Sequence, residues 1–189
     1  MKFTSLGIKG LWLAESQVWK DERGSFQEWF KSEEVFEATG IKFSVEQANI
    51  SSSKKNVIRG IHYSLAPGGQ AKWVTCASGR IVDVVVDIRP NSPTFKKIEY
   101  VNLQAGDGKS IFIGPGLGHA FISLEDDTNV SYLISSPYSP EFEYGIHPMD
   151  PELKIDWSLG SGLDKSAVIS AKDSDAPTLE TRSLEGRLP

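Results

Sequence analysis

A succession of short β-forming runs, each closed by glycine or proline, constrains this chain more than any other feature. Residues 43–50, 57–63, 72–77, 80–88, 97–103, 110–113, 120–124 and 129–134 all have strand length and strand composition. Between them stand turn signals such as Pro67-Gly68-Gly69, Ser78-Gly79, Pro90-Asn91-Ser92-Pro93 and Gly106-Asp107-Gly108. Strands at this spacing, without long helices interleaved, predict an all-β sandwich or barrel. One helix is expected at residues 32–38, with Ser32 as N-cap, Glu33 and Glu34 in the positive first turn, and Gly40 as the stop. A partly helical or irregular segment is expected around residues 163–171, and a loose tail beyond about Thr178.

The bulk numbers remove several function classes. The 189 residues suit one domain, and 39% hydrophobic with 24% charged residues is a globular composition. A formal charge of -5 argues against a surface that coats nucleic acid. The single cysteine, Cys76, cannot form an intrachain disulfide and lies in an apolar run, which reads as a buried structural thiol in a reducing cytoplasm. Lys2 and Lys9 flank no apolar core, so no signal peptide is expected. The uncharged stretch 111–124 is interrupted by Gly114, Pro115, Gly116 and Gly118, so no membrane span is expected either.

Chemistry must come from few groups. The chain has three histidines, His62, His119 and His147. His62 has Ser64, not histidine, two residues on, and His147 sits in a loop before Pro148, so a multi-histidine metal site is not expected. Isolated imidazoles suit proton transfer instead, provided a carboxylate orients the base and positive charge stabilises the anion formed. Arg59 and Lys72 are the local candidates for that charge, although an arginine three residues before a histidine is weak evidence by itself. In an ideal strand Arg59 and His62 face opposite sides, and Gly60 between them can mark a bulge that re-aims one of them. Asp83 and Asp87 share a strand face with Val85, which ordinarily means solvent; if that face lines a pocket, Asp83 can orient a histidine. Tyr132 and Tyr138 are candidate general acids, or simply aromatic strand residues.

The ordered motifs carry a resemblance. They run Asp21-Glu-Arg-Gly-Ser-Phe26-Gln-Glu28, Gln47-Ala-Asn49, Val57-Ile-Arg59-Gly60-Ile-His62-Tyr63, Gln70-Ala-Lys72, Asp83 to Arg89, Ser92-Pro-Thr-Phe95, Gly118-His119-Ala-Phe121, Tyr132, Tyr138-Ser-Pro140 and Asp150-Pro151. Taken in that order, from about Trp19 to Asp173, the chain resembles the dTDP-4-dehydrorhamnose 3,5-epimerases. The resemblance implies a cupin-type jelly roll with a few short helices, forming a homodimer by exchange of an N-terminal arm. On that basis one domain spans residues 1–177, followed by the loose tail 178–189.

It further implies a dTDP-4-keto-6-deoxyhexose substrate, no cofactor and no metal. The family's base matches His62, its orienting carboxylate Asp173, its enolate-stabilising lysine Lys72 and its general acid Tyr132, with His119 a further catalytic position. Arg59, Arg23, Phe26, Glu28, Gln47, Asn49 and Tyr138 match positions that hold sugar and nucleotide, and Arg23, Phe26 and Glu28 are expected to reach the partner subunit's site. Asp83 is the expected support behind a histidine. Ala171 stands where the family has an acid, and Gly68-Gly69 is a loop departure. The implied reaction is epimerisation at C3 and C5. Still open at this point are a single-position epimerase, a 3,4-ketoisomerase on the same scaffold, a non-catalytic sugar-nucleotide-binding cupin and a metal-dependent cupin enzyme.

Overall fold

In the computed structural model, which describes residues 1–159 and 167–189, strands dominate. They are β1 (Lys2–Ser5), β2 (Leu11–Glu15), β3 (Val18–Asp21), β4 (Gly24–Gln27), β5 (Gln47–Ser53), β6 (Val57–Ser64), β7 (Lys72–Ser78) and β8 (Arg80–Asp87). Then come β9 (Ile98–Gln104), β10 (Lys109–Ile113), β11 (Leu117–Ser123), β12 (Thr128–Ile134), β13 (Glu143–Gly145) and β14 (Val168–Ile169). Three helices complete the described residues: α1 (Ser32–Thr39), α2 (Ala171–Ser174) and α3 (Leu179–Leu184). One sheet runs β1-β2-β10-β7-β12-β5 and the other β13-β6-β11-β8-β9, with β14 added in parallel beside β6. The β3–β4 hairpin stands apart from both. This is the jelly roll that the sequence implied. No helix of the described residues is long and apolar enough to cross a membrane.

Side-chain alternation explains why the two sheets stack. On β8, Val82, Val84 and Val86 join an outer cluster with Ile58, Ile61, Ile122, Leu153 and Trp157. Ile81 and Val85 point the other way, into a core shared with Val74, Cys76, Ile111 and Val130 of the facing sheet. Trp73, Phe112 and Leu133 form a third cluster under α1, with Val35 and Phe43. Strand β8 is therefore buried on two faces, which overturns the solvent reading of the Asp83 and Asp87 face. That face is the interior: both aspartates are fully buried. Arg89, Ser92 and Thr94 all donate to Asp87, which holds its carboxyl down at about 2 against the opposing effect of burial.

The other differences are local. Strand β5 starts at Gln47, not residue 43, because Phe43 turns into the third cluster. Strand β11 begins at Leu117, since Gly118 is tolerated inside it: a Cβ there would lie 2.7 Å from Ile61 Cγ2. Ser32 is the first helical residue and does not cap α1; Lys31 occupies the cap position without a side-chain bond, while Gly40 ends the helix in the left-handed region as expected. Of the segment expected around 163–171, residues 163–166 lie outside the described residues, and 168–169 form β14.

The tail is not loose. Thr178 caps α3 by accepting from the Thr181 amide, and the Leu179 amide donates to Asp150 Oδ2 at 2.6 Å. Leu179 is 1% exposed, in the outer cluster. An apolar anchor, a helix cap and the bond to Asp150 help secure a segment whose composition reads as polar. Leu179→Ala is expected to lower the unfolding free energy by about 2–5 kcal/mol in a urea titration, as for other buried leucines; an unchanged midpoint would restore the loose-tail reading.

Candidate active site

The interior face is apolar at one end of the roll and polar at the other. At the polar end a cavity of about 270 Å³ is lined by His62, His119, Lys72, Tyr132, Arg59, Gln47, Asn49 and Tyr138. Their convergence depends on β6. His119 lies opposite His62 in the β11–β6 ladder, yet Phe121 lies opposite Arg59, so β6 carries one extra residue there. Ile58 and Ile61 both reach the outer cluster, and Arg59 and His62 therefore both turn inward, resolving the alternation problem. Gly60 makes this fit. Its φ is +113°, and a Cβ there would sit 2.5 Å from the His119 carbonyl oxygen.

Each inward histidine is backed by its own carboxylate. His62 Nε2 is hydrogen-bonded to Asp173 Oδ1 at 2.7 Å. Asp173 is held there by α2, whose start is capped when Ser170 Oγ accepts the Asp173 amide at 3.1 Å. Strand β14 pins that turn along β6, pairing Val168 with Val57 and Ile169 with Ile58. Burial opposes ionisation of Asp173. The bond and charge of His62 and the Gly60 amide outweigh it and hold the carboxyl below its usual range. With an ionised partner at Nε2, the proton of neutral His62 resides there and Nδ1 is the free base.

His119 Nε2 is likewise 2.7 Å from Asp83 Oδ2. Here burial is complete and dominates: the Asp83 carboxyl is pushed up, with His119 offsetting only part. Among the described residues the other Asp83 oxygen has no hydrogen-bond partner.

The buried cation of the site is Lys72, 8% exposed at the start of β7. Burial pulls its ammonium down to about 8, with the Glu143 charge opposing. Its Nζ donates to Gln70 Oε1. Tyr132 enters from β12; burial raises its hydroxyl pKa, against the charge of Arg59, so it carries its proton at neutral pH. Arg59 is fixed against β5, donating from Nε to Ser53 Oγ at 3.0 Å and from Nη2 to the Ser52 carbonyl at 2.8 Å. Gln47 donates to Asn49 Oδ1 at 2.7 Å and accepts the Tyr138 amide at 2.9 Å, which places the exposed Tyr138 ring at the rim.

Three expected residues are elsewhere. Arg23 pairs with Asp21 within the β3–β4 hairpin, Phe26 packs on Trp19 and is 65% exposed, and Glu28 pairs with Lys31. None lines this chain's own cavity. The cavity also has walls to which the sequence reading gave no role: Ser51, Gln70, Phe121, Ile134, Glu143, Tyr144 and Lys172. Period two reaches several of them, since Gln70, Phe121 and Ile134 each stand two residues from an identified inward group. Glu143 and Tyr144 lie on a three-residue strand that gives no alternation signal.

A wider cleft of about 620 Å³ includes Lys9, Leu65, Arg89 and Pro115. It contains no histidine, and its arginine is committed to Asp87. The smaller cavity is the one equipped for proton transfer: a carboxylate-backed base, a protonated phenol and a partly deprotonatable buried amine in one enclosure.

A family model described as dTDP-4-dehydrorhamnose 3,5-epimerase matches residues 5–181. The dTDP-4-dehydrorhamnose 3,5-epimerase of Streptomyces griseus is 42% identical over 97% of this chain and 90% of its own length. A dTDP-4-dehydro-6-deoxyglucose 3-epimerase of Streptomyces bikiniensis is also 42% identical, over 97% of this chain and 92% of its own. A solved dTDP-6-deoxy-D-glucose-3,5-epimerase from Legionella pneumophila, in complex with dTDP-4-keto-L-rhamnose, superposes with a TM-score of 0.91 at 35% identity, covering 100% of this chain and 97% of that one.

Because the geometry hinges on Gly60, Gly60→Ala is expected to destabilise the fold by more than about 1 kcal/mol. The amide signals of Arg59, His62 and His119 should shift together in a heteronuclear NMR spectrum. Wild-type stability with an unshifted spectrum would show that the bulge tolerates a side chain.

Proposed function

Because the chain belongs to the dTDP-4-dehydrorhamnose 3,5-epimerase family, we propose that it converts dTDP-4-keto-6-deoxy-D-glucose to dTDP-4-keto-L-rhamnose by epimerising C3 and C5 through an enolate. The observation that carries this reading is the Asp173-backed His62 facing one cavity with Lys72 and Tyr132.

The C4 ketone of such a substrate acidifies the hydrogens on C3 and C5. His62 Nδ1 removes one, and Asp173 stabilises the imidazolium that forms. The electron pair moves onto the C4 oxygen, where Lys72 and His119 hold the developing charge. One such donor contributes about 3–4 kcal/mol to the transition state. Tyr132 returns a proton from the opposite face, which inverts the centre, and its raised pKa keeps that proton available. Each cycle exchanges one proton for another and moves no electrons to or from the substrate, so the chemistry calls for no redox partner. Arg59 offers bidentate contacts to a pyrophosphate, and Gln47, Asn49 and the Tyr138 ring suit sugar and base at the rim.

Arg23, Phe26 and Glu28 act, in this reading, in the site of a partner subunit. In favour of a homodimer are their distance from their own cavity, the solvent-facing β3–β4 hairpin and the exposed Ile50 on edge strand β5. A free buried thiol at Cys76 and a nucleotide-sugar substrate fit a cytoplasmic enzyme.

In heavy water, the product from dTDP-4-keto-6-deoxy-D-glucose is expected to carry deuterium at both C3 and C5 by NMR. His62→Ala should abolish turnover while retaining dTDP affinity. Label at one carbon alone would identify a single-position epimerase, and retention of both original hydrogens would sink the epimerase reading. The pH dependence follows from Lys72. Its cation is the competent form and is lost as pH rises through about 8, instead of its ordinary 10.5. The kcat/KM profile should therefore fall on an alkaline limb near pH 8, and a flat profile to pH 10 would remove Lys72 from the transition state.

A further inference from the structure

We propose that Gln70 is the positioning residue of this site: a neutral amide clamped at one end and presented to the Lys72 ammonium at the other, so that the lysine is aimed at the C4 oxygen without being neutralised. This role rests on the epimerase reading above.

The clamp is visible bond by bond. Gln70 is itself buried. Its amide nitrogen donates to Glu143 Oε1 at 3.2 Å, on β13, and to the Ser136 carbonyl at 3.3 Å, just past β12. Both donors are thus spent, one on a backbone carbonyl and one on a carboxylate, which fixes the plane of the amide and leaves Oε1 facing Lys72 Nζ, from which it accepts. The flanking backbone is tied as well. The Ala71 amide donates to Ser135 Oγ at 2.8 Å, and the Ser135 amide to the Ala71 carbonyl at 3.1 Å.

The chemistry of the amide is what makes it suitable. A buried ammonium without an acceptor bears its full desolvation penalty and either moves or loses its proton. A carboxylate in direct contact would solve that problem too well, pairing with the cation and competing with the enolate. The amide oxygen supplies a dipole and no charge. Glu143 is kept at one remove, behind the amide, where its charge is felt by Lys72 only through space. The other titratable or charged groups facing the same cavity are His62 and Arg59 from β6, His119 from β11, Tyr132 from β12, Tyr138 at the rim, Tyr144 from β13 and Lys172 from α2. The nearest ladder neighbours of Lys72, Ile113 and Ile134, are apolar. Among the described residues Gln70 is the hydrogen-bond acceptor found for Lys72.

Two substitutions separate aim from charge. Gln70→Met keeps the length of the side chain and removes the acceptor. Gln70→Glu keeps the acceptor and adds the charge. The Lys72 amine is followed directly, by ¹³C NMR titration of lysine-labelled protein assigned with Lys72→Arg, alongside kcat, KM and dTDP affinity. In Gln70→Met, kcat should fall about tenfold or more while KM and dTDP affinity stay within about threefold. The Lys72 midpoint should move to lower pH. In Gln70→Glu, the Lys72 midpoint and the alkaline limb of kcat should both move up by about one pH unit or more. The proposal is overturned if Lys72 titrates at the wild-type pH in both variants, whether or not thermal stability and kcat decline. A wild-type protein without turnover would defeat the epimerase reading separately, since the lysine titration reads the clamp with no substrate present.

Discussion

The site depends on one extra residue in β6. A strand alternates its side chains, and a sandwich uses that alternation to send apolar groups inward. An inward arginine and an inward histidine three positions apart violate it. The violation is absorbed at Gly60, where the ladder to β11 slips by one and the two backbones approach too closely for a side chain. Downstream of that slip, β6 presents His62 to the interior opposite His119. Upstream it presents Arg59 opposite Phe121. A regular strand would send one of the pair into the outer cluster among Ile58, Val84 and Ile122, at the full cost of burying a charge in hydrocarbon.

Two histidine–carboxylate pairs of equal length have unequal electrostatics. Asp173 hangs from a short helix at the edge of the sheet and receives bonds from His62, the Gly60 amide and Ser170, enough to keep it ionised despite burial. Asp83 sits in the middle of a sheet with one oxygen unpartnered, and burial wins. An ionised Asp173 beside His62 stabilises the imidazolium that forms when the ring takes a proton. A carboxyl that resists ionisation offers His119 no such charge, which suits an imidazole that donates to an oxyanion instead of abstracting a proton. The surroundings of each carboxylate, more than the two histidines themselves, separate the roles.

Much of this was legible in the sequence, for a physical reason. Residues 57–63, 72–77, 80–88 and 129–134 combine β-branched runs with firm turn signals, and they emerge as β6, β7, β8 and β12 within a residue at most at each end. His62, Lys72, His119 and Tyr132 lie on β6, β7, β11 and β12, which is why the motifs found them. What stayed hidden lacks a local signal. Asp83 and Asp87 alternate with valines as a half-exposed strand would, and only the facing sheet makes their side interior. Strands β1 to β4 are four or five residues long, and β13 is three. Their existence is decided by the strands they pair with. Glu143 acquires meaning only through the contact that Gln70 makes across 73 positions of sequence.

The C-terminal helix shows how far that non-local logic extends. Tyr144, next to Glu143 on β13, forms part of the cavity wall and stacks on Tyr63 at a centroid distance of 5.8 Å. Arg182 and Arg187 from α3 and the turn after it lie over the Tyr144 ring at 5.3 and 5.5 Å. Arg187 also donates to the Tyr144 hydroxyl at 2.9 Å, the Tyr63 hydroxyl donates to the Arg187 carbonyl at 2.7 Å, and Arg182 Nε donates to the Gly145 carbonyl at 3.0 Å. Strand β13 makes three ladder pairs with β6, and backbone bonds between Leu65 and Phe142 and between Ile61 and Ile146 flank them. The two guanidiniums add a further restraint from outside. They hold the strand that holds Glu143, which holds the amide that aims Lys72. A segment whose composition reads as a loose end thus sets the position of a cation on the opposite side of the cavity wall.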